Sequence, residues 1–376
     1  MQLIRRTALL LLLPLTATAG VLPEDRADLM YHYYDGGGVT IDGPSLLVRK
    51  KFAEKYAVSA SYYVDMVSSA SIDVITTASE YSEERTQYGF GVEYLRGKVT
   101  YAASFSNSNE NDYNADTASV SVSQDMFGDL TTVALSFTRG WDDVTRRGDP
   151  VFADKIDRRI YGVDISQIAT KRLVLGFSYE AITEEGFLNN PYRQVRYVDP
   201  AEALGYAYEA ERYPRTRTGN AFSLRAKWYL PYRAALQGDY RFYNDTWEIT
   251  SSTAEVAYTH PVGEQWIFDV HYRFYDQDAA EFYSDLFPRE DFQNFLARDK
   301  ELSTMQSHTL GFGVAYEFKP ARFDFLGKAA VNLKFDRIHF DYDDFRDLRT
   351  TGVAPGTEPL YKFDANVIRL FFSGWF

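Results

Sequence analysis

The chain has 376 residues, a formal net charge of −13 at pH 7 and no cysteine. The lack of cysteine excludes a disulfide framework, a thiolate metal site and a lipoprotein anchor. The acidic balance argues against nucleic acid as a partner, and no segment after the first twenty residues is apolar over the roughly 18 residues that a membrane helix needs.

The N-terminal segment has the layout of an export signal. Arg5 and Arg6 are followed by an apolar stretch, Thr7–Leu15, and then by Ala17-Thr18-Ala19, whose small residues suit a signal-peptidase site. We therefore predict a signal peptide over residues 1–19 and a single barrel domain over residues 20–376. Removal of the signal takes away two arginines and brings the net charge to −15.

The mature chain alternates apolar and polar residues with a period of two. Tyr56–Met66, Leu173–Glu180 and Trp266–Phe274 are clear segments of this kind. Repeated segments of about ten residues are typical of tilted strands in an outer-membrane barrel. We predict an all-β fold, a transmembrane antiparallel up-and-down β-barrel of about sixteen strands, with fourteen as the alternative. An even count with both termini in the periplasm requires a first strand at Asp28–Asp35.

The connections between these segments are of two lengths. Those with turn residues are short, at Ala53–Lys55, Leu95–Gly97, Gly128–Asp129, Thr170–Lys171, Leu230–Arg233, Pro261–Gly263 and Lys319–Ala321. The others are longer, at Ser68–Glu84, Asn107–Ala115, Trp141–Ile156, Glu184–Arg217, Asp276–Leu302 and Phe340–Lys362. This alternation of short and long connections predicts short periplasmic turns and long extracellular loops.

Three long loops have features of their own. Glu184–Arg217 is rich in Tyr and Arg and is predicted to fold over the barrel mouth. In Asp276–Leu302, the spacing of Phe292, Phe295 and Leu296 predicts a short amphipathic helix. The carboxylates of Asp341–Asp347 could bind Ca²⁺, but without the glycine spacing of an EF-hand we interpret the segment as a solvated acidic loop and predict no metal site.

The last ten residues, Val367–Phe376, fit the closing strand of such a barrel. Ile368, Leu370 and Phe372 share one face, and the chain ends on an aromatic residue. A terminal Phe376 after such a strand resembles the assembly signal of Gram-negative outer-membrane proteins. This predicts export to the outer membrane, with membrane lipid and the barrel-assembly machinery as partners.

Charged residues are concentrated on the inward rows of the C-terminal half. The lumen-lining candidates are Arg225, Lys227, Asp239, Arg241, Glu255, Asp269, His271, Arg273, Lys334, Asp336 and Arg369. Such a row either selects solutes by charge or braces the barrel through salt bridges, and the interleaved signs favour bracing. The leading functional hypothesis is a channel or transporter-like pore for small polar solutes; the alternative is a loop-plugged scaffold for periplasmic or redox-related proteins.

A barrel hydrolase is a third hypothesis with weaker support. Ser307 and His308 are adjacent in a strand and so point to opposite faces, and there is no G-x-S-x-G motif. Asp341, Asp343 and His339 match the acidic pairs and histidine of a barrel protease only loosely. We assign no catalytic residue and no cofactor.

Four segments resemble a family of Gram-negative bacterial proteins that is defined by a domain of unknown function and predicted to form outer-membrane barrels. They are Tyr31–Ser45 (YHYYDGGGVTIDGPS), Ser61–Val74 (SYYVDMVSSASIDV), Phe187–Arg193 (FLNNPYR) and Phe295–Ser303 (FLARDKELS). The resemblance implies a secreted barrel. Members of the family tend to lie near small lipoproteins and flavin-transfer proteins, so the resemblance also implies periplasmic redox partners. It supplies no catalytic residues.

Overall fold

A computed structural model describes residues 21–69, 81–320 and 325–376. The predicted signal peptide and most of the predicted loop Ser68–Glu84 lie outside these residues. The barrel strands are β1 (Arg26–Gly36), β2 (Val39–Phe52), β3 (Tyr56–Ser69), β4 (Tyr81–Arg96), β5 (Val99–Asn109), β6 (Tyr113–Met126), β7 (Thr131–Arg146), β8 (Asp149–Thr170), β9 (Leu173–Gly186), β12 (Thr216–Tyr229), β13 (Ala235–Asp245), β14 (Thr250–Val262), β15 (Trp266–Gln277), β16 (Met305–Phe318), β17 (Lys328–Arg346) and β18 (Leu360–Trp375). A separate hairpin is formed by β10 (Gln194–Val198) and β11 (Tyr206–Ala210).

The sixteen barrel strands form one closed antiparallel sheet in which each strand pairs with its neighbours in the chain. β9 pairs directly with β12 because the β10–β11 hairpin leaves the wall. β1 closes the barrel against β18, in a register that runs from Arg26 opposite Trp375 to Gly36 opposite Ala365. The predicted up-and-down barrel of sixteen strands, including the first strand and the closing strand, is confirmed.

The two faces of each strand differ as a barrel requires. On β12, Phe222, Leu224 and Trp228 are exposed on the outer face, while Arg225 and Lys227 alternate with them and face the lumen. The same alternation recurs on β1, β4, β15 and β18, whose outer rows are large and apolar. The outer surface is thus a continuous belt of aliphatic and aromatic side chains.

One end of the barrel has tight turns, as predicted. Gly97, Gly128 and Gly263 adopt positive φ angles of 64°, 71° and 63° there, a conformation that glycine reaches without steric cost. Both ends of the described chain lie at this end, since Arg26 pairs with Trp375.

At the other end, two of the predicted long loops are wrong. The interpretation of Asp341–Asp347 as a solvated acidic loop is wrong as well, because β17 runs to Arg346 and buries Tyr342 and Phe345. In place of a loop over Trp141–Ile156, β7 runs to Arg146 and β8 begins at Asp149. Asn107–Ala115 is likewise mostly strand, and residues 110–112 form the turn. Beyond the apolar belt a strand no longer needs one apolar face, so the hydrophobic alternation stops while the hydrogen-bonded ladder continues.

The predicted helix around Phe292, Phe295 and Leu296 is also wrong. The segment is irregular. Leu296 is fully buried and forms an antiparallel β-bridge with Arg212, in which the N–H of each residue donates to the carbonyl oxygen of the other. The one helical turn of this loop is a 3-10 turn at Lys300–Leu302. No helix in the described part of the chain is long and apolar enough to cross a membrane.

Three connections pack together into a unit that we call the mouth cap, formed by residues 187–215, 278–304 and 347–359. Its largest apolar cluster joins Tyr213, Phe282 and Leu302 to Trp247 and Ile249 of the neighbouring β13–β14 turn. A second cluster joins Val195, Phe287 and Leu296. The prediction that Glu184–Arg217 folds over the mouth agrees with this packing.

Candidate functional site: the lumen and the mouth cap

The structure brings the eleven predicted lumen residues onto one continuous wall, because β12 to β18 are successive neighbours in the barrel. Arg225 Nε donates to Asp239 Oδ1 at 2.7 Å, and the two residues are direct partners in the ladder. Arg273 Nε donates to Glu255 Oε2 at 2.6 Å in the same way. We call this wall the charged wall.

One bridge on the charged wall crosses an intervening strand. His271 Nε2 lies 3.4 Å from Asp336 Oδ1, and Arg369 also pairs with the Asp336 carboxylate. The residue between His271 and Asp336 on β16 is Gly311, where an added Cβ would lie 2.0 Å from His271 Cε1. The bridge therefore requires glycine at this position.

The remaining predicted residues have looser contacts. Arg241 reaches across β12 to Glu180 Oε2 at 3.1 Å, and Asp269 accepts a hydrogen bond from Thr259 at 2.9 Å. Within the described ranges, Lys227 and Lys334 have no ion-pair partner; Lys227 Nζ lies 5.8 Å from the Tyr229 ring centroid, and Lys334 sits opposite Arg369 in the ladder.

The opposite wall, β3 to β9, is lined by small residues, which the sequence analysis did not single out. Gly89 and Gly91 lie against the Ser61 and Ser59 hydroxyls, so that a Cβ at either glycine would approach an Oγ to 2.4 or 2.6 Å. Gly162 stands in the same relation to Ser136. We call this the small-residue wall; the serine on every second position of β6 was the signal that could have found it.

A buried polar cluster at the edge of the small-residue wall, next to β1, was also missed. Asp65 Oδ1 accepts a hydrogen bond from His32 Nε2 at 2.8 Å, and Asp65 Oδ2 forms an ion pair with Arg85 Nη2 at 2.8 Å. The Tyr63 ring stacks on His32 with centroids 5.1 Å apart. These residues are dispersed over β1, β3 and β4, and only the closed ladder brings them together.

The mouth cap contains arginines that are enclosed by carboxylates. Arg196, whose side chain is 0 % exposed, donates to Glu358 Oε1 at 2.6 Å and pairs with Asp285. Arg298 Nη2 lies 2.9 Å from Asp285 Oδ1, and its guanidinium covers the Phe345 ring at 4.4 Å. Burial by itself would raise the pKa of Glu358, but the hydrogen bonds from Arg196 hold this pKa below its ordinary value.

The cap is attached to the barrel at separate points around the mouth. Gln277 at the end of β15 donates to the carbonyl oxygens of Glu301 and Ser303, at 2.9 and 2.7 Å. On the other side, the Tyr192 hydroxyl accepts the Arg147 N–H of the β7–β8 turn at 2.7 Å. Arg193 and Asp299 join the two cap loops at 2.6 Å, so the cap extends across the mouth.

Glu211 is a buried acid within the cap. It accepts from the Tyr213 hydroxyl at 2.7 Å and from the Arg298 N–H at 2.8 Å. Burial, and after it the neighbouring Asp299 carboxylate, raise the pKa of Glu211 to about 7. Glu211 is therefore an acid of the cap that keeps its proton to a higher pH than an exposed glutamate does.

The serines and histidines considered for catalysis do not come together. Ser307 is buried on the inner side of β16, whereas His308 lies outside, where its Nδ1 is 2.7 Å from the Tyr272 hydroxyl. His339 is also on the outer face, with Asp341 at 3.0 Å and Asp364 at 2.8 Å on its two ring nitrogens. No hydrolytic Ser–His pair results from these residues.

Phe376 follows β18 at the turn end of the barrel. Its N–H donates to the Asp25 carbonyl at 3.2 Å, and Lys50 Nζ lies 4.9 Å from the ring centroid. The terminal ring is thus held at the seam between β1 and β18. Its role as an assembly signal remains a prediction.

Comparison with known proteins gives a family and a set of distant folds. The family described as "Protein of unknown function (DUF3570)" matches residues 76–336. No curated protein matches the sequence. Similar solved structures include a bacterial polysaccharide outer membrane secretin (TM-score 0.49, 10 % identity, covering 94 % of this chain and 100 % of that chain), a Pseudomonas aeruginosa FadL homologue (0.46, 11 %, 94 % and 91 %) and the P. putida toluene transporter TodX (0.44, 10 %, 96 % and 92 %). Because the match to the family covers more than half of the chain, the protein belongs to the DUF3570 family.

Proposed function

We propose that the protein is an outer-membrane barrel that admits small polar solutes through a water-filled lumen below a folded extracellular cap. The belt of exposed residues such as Leu224, Phe268 and Leu370 on the outer face supports the membrane location, since a closed barrel satisfies its backbone and turns its apolar row to lipid.

The observation that carries the proposal is the exposure of charged side chains inside the barrel. The side chains of Arg225 and Arg273 face the lumen and are 58 % and 50 % exposed. A charged group at the depth of the membrane stays exposed only where water reaches it. The lumen therefore has room for solvent along the charged wall.

The two walls suggest how solutes pass. The small-residue wall leaves free cross-section, and the charged wall presents both signs in pairs, so selectivity by charge is weak. The mouth cap supports a second candidate, a plugged scaffold for periplasmic proteins, because its loops pack on one another and are joined across the mouth.

Conductance of the purified protein in planar bilayers tests the proposal. We expect stepwise conductance, and Arg273→Ala should shift the reversal potential in a KCl gradient towards cation selectivity because Glu255 loses its partner. Arg159→Ala is the matched control, since this arginine pairs with Asp157 at 2.9 Å on the outer face. A wild-type protein that stays silent over a wide voltage range would support the scaffold instead.

A further inference from the structure

Three carboxylates converge at the extracellular rim, away from the charged wall. Glu83 stands near the start of β4, and Glu110 and Asp112 belong to the β5–β6 turn. One oxygen from each lies within 4.8 Å of the other two. Opposite ligands on one Ca²⁺ ion are about 4.6–5.2 Å apart, because each oxygen sits about 2.3–2.6 Å from the ion. A single ion can therefore reach all three.

Asp112 gives an independent reason to expect a cation. The residue is 7 % exposed, and its Oδ1 atom has no hydrogen-bond partner in the described part of the chain. It forms no ion pair with any described residue either. Burying a carboxylate oxygen without a hydrogen-bond donor costs free energy. The negative charges of the nearby carboxylates increase this cost by repulsion.

We propose that Glu83, Glu110 and Asp112 bind one Ca²⁺ ion. Hard oxygen ligands and three negative charges are what this cation prefers, and several water molecules complete its coordination. The ion joins the tip of β4 to the β5–β6 turn. No Ca²⁺ site of the EF-hand type is involved.

The site also lies beside the mouth cap. Tyr192 of the cap is fixed by the Arg147 N–H at 2.7 Å, and Thr145, also on the β7–β8 hairpin, donates its N–H to the Asp112 carbonyl at 2.8 Å. Ca²⁺ at the rim thus stabilises the edge against which this cap loop rests.

Terbium luminescence of the full-length protein in detergent, after treatment with EDTA, tests the proposal. Tb³⁺ replaces Ca²⁺ at oxygen sites and is sensitised by nearby tyrosines, here Tyr192 and Tyr113. We expect saturable luminescence that Ca²⁺ displaces at lower concentration than Mg²⁺. Asp112→Asn and Glu83→Gln should each weaken the apparent affinity by about tenfold or more, since each removes a charged ligand.

Glu84→Gln is the matched control, because it removes the same charge from the next residue of β4, on the opposite face. Its affinity should equal that of the wild type. Equal losses in Glu84→Gln and Asp112→Asn would indicate diffuse attraction and overturn the site, as would a wild-type protein that binds no Ca²⁺ in equilibrium dialysis. Heat-modifiable mobility on gels verifies that each variant is folded, and Glu110→Gln replaces any variant that is not.

Discussion

The mouth cap and the charged wall use the same chemical pair, arginine with carboxylate, in opposite surroundings. Arg196 in the cap is 0 % exposed and is held by Asp285 and Glu358, whereas Arg225 on the wall is 58 % exposed beside Asp239. A pair in water contributes little to stability, while removing one partner of a dry pair leaves an uncompensated charge. The cap pairs therefore determine structure, and the wall pairs keep charge available to the lumen.

The largest effect should follow from breaking the pair in the cap. Arg196→Met leaves Glu358 without its partner and should destabilise the cap by about 3–5 kcal/mol. Hydrogen exchange should then rise in residues 187–215 and 278–304 while the barrel strands stay protected. Arg225→Met is the control in the lumen, and unchanged protection of the cap in Arg196→Met would remove the distinction between the two regions.

A second effect, the dependence of stability on pH, distinguishes the cap from the wall. The pKa of Glu211 is raised from 4.5 to about 7 in the folded cap, so the folded state holds a proton that the unfolded state releases. The stabilisation of the folded cap by this proton is complete below about pH 4.5 and is lost as pH rises through 7. It amounts to a free energy on the order of 3 kcal/mol in total. Thermal melting of the cap at pH 5 and pH 8 should show the difference.

Glu211→Gln supplies the control for this pH effect. It keeps an acceptor for Tyr213 and removes the titrating group, so its melting temperature should change little between the two pH values. If the variant keeps the full pH dependence of the wild type, another group is responsible.

A third and smaller effect belongs to the charged wall. Gly311→Ala places a Cβ 2.0 Å from His271 Cε1 and 2.4 Å from Asp336 Oδ1, which should cost about 1–3 kcal/mol. Gly238→Ala on β13 meets no atom within 4 Å and should change urea unfolding in detergent hardly at all. Equal unfolding of the two variants would show that the His271–Asp336 bridge does not need the glycine.

The smallest effect is expected from the exposed pair itself. Arg225→Ala should lower the unfolding free energy by only about 0–1 kcal/mol, because water already screens the pair. Urea unfolding measures this, and a loss as large as that of Arg196→Met would mean that the wall is dry.

The barrel could be predicted from sequence because its physics is local. A barrel strand in lipid must alternate apolar and polar residues. Because the number of strands must be even, the count of turns identified even the weak first strand at Asp28–Asp35. The strands were less predictable at the mouth, where β7 and β8 continue to the turn at Arg147-Gly148 without an apolar row.

The cap and the rim cluster could not be predicted in the same way. Arg196 and Glu358 are 162 positions apart in the chain, and Glu83 meets Asp112 only through ladder pairing. The helical spacing of Phe292, Phe295 and Leu296 does not correspond to a helix, because contacts across the cap, and not a repeating face, determine which of these residues is buried.

The absence of cysteine from the chain permits one direct test of the claim that water fills the inside and lipid surrounds the outside. Two single-cysteine variants are compared, Ser121→Cys on the small-residue wall and Val120→Cys on the outer belt. Each is reconstituted in proteoliposomes and treated with a charged, membrane-impermeant thiol reagent. We predict rapid labelling at Ser121→Cys and none at Val120→Cys. Labelling at position 120 with protection at position 121 would contradict the proposed arrangement.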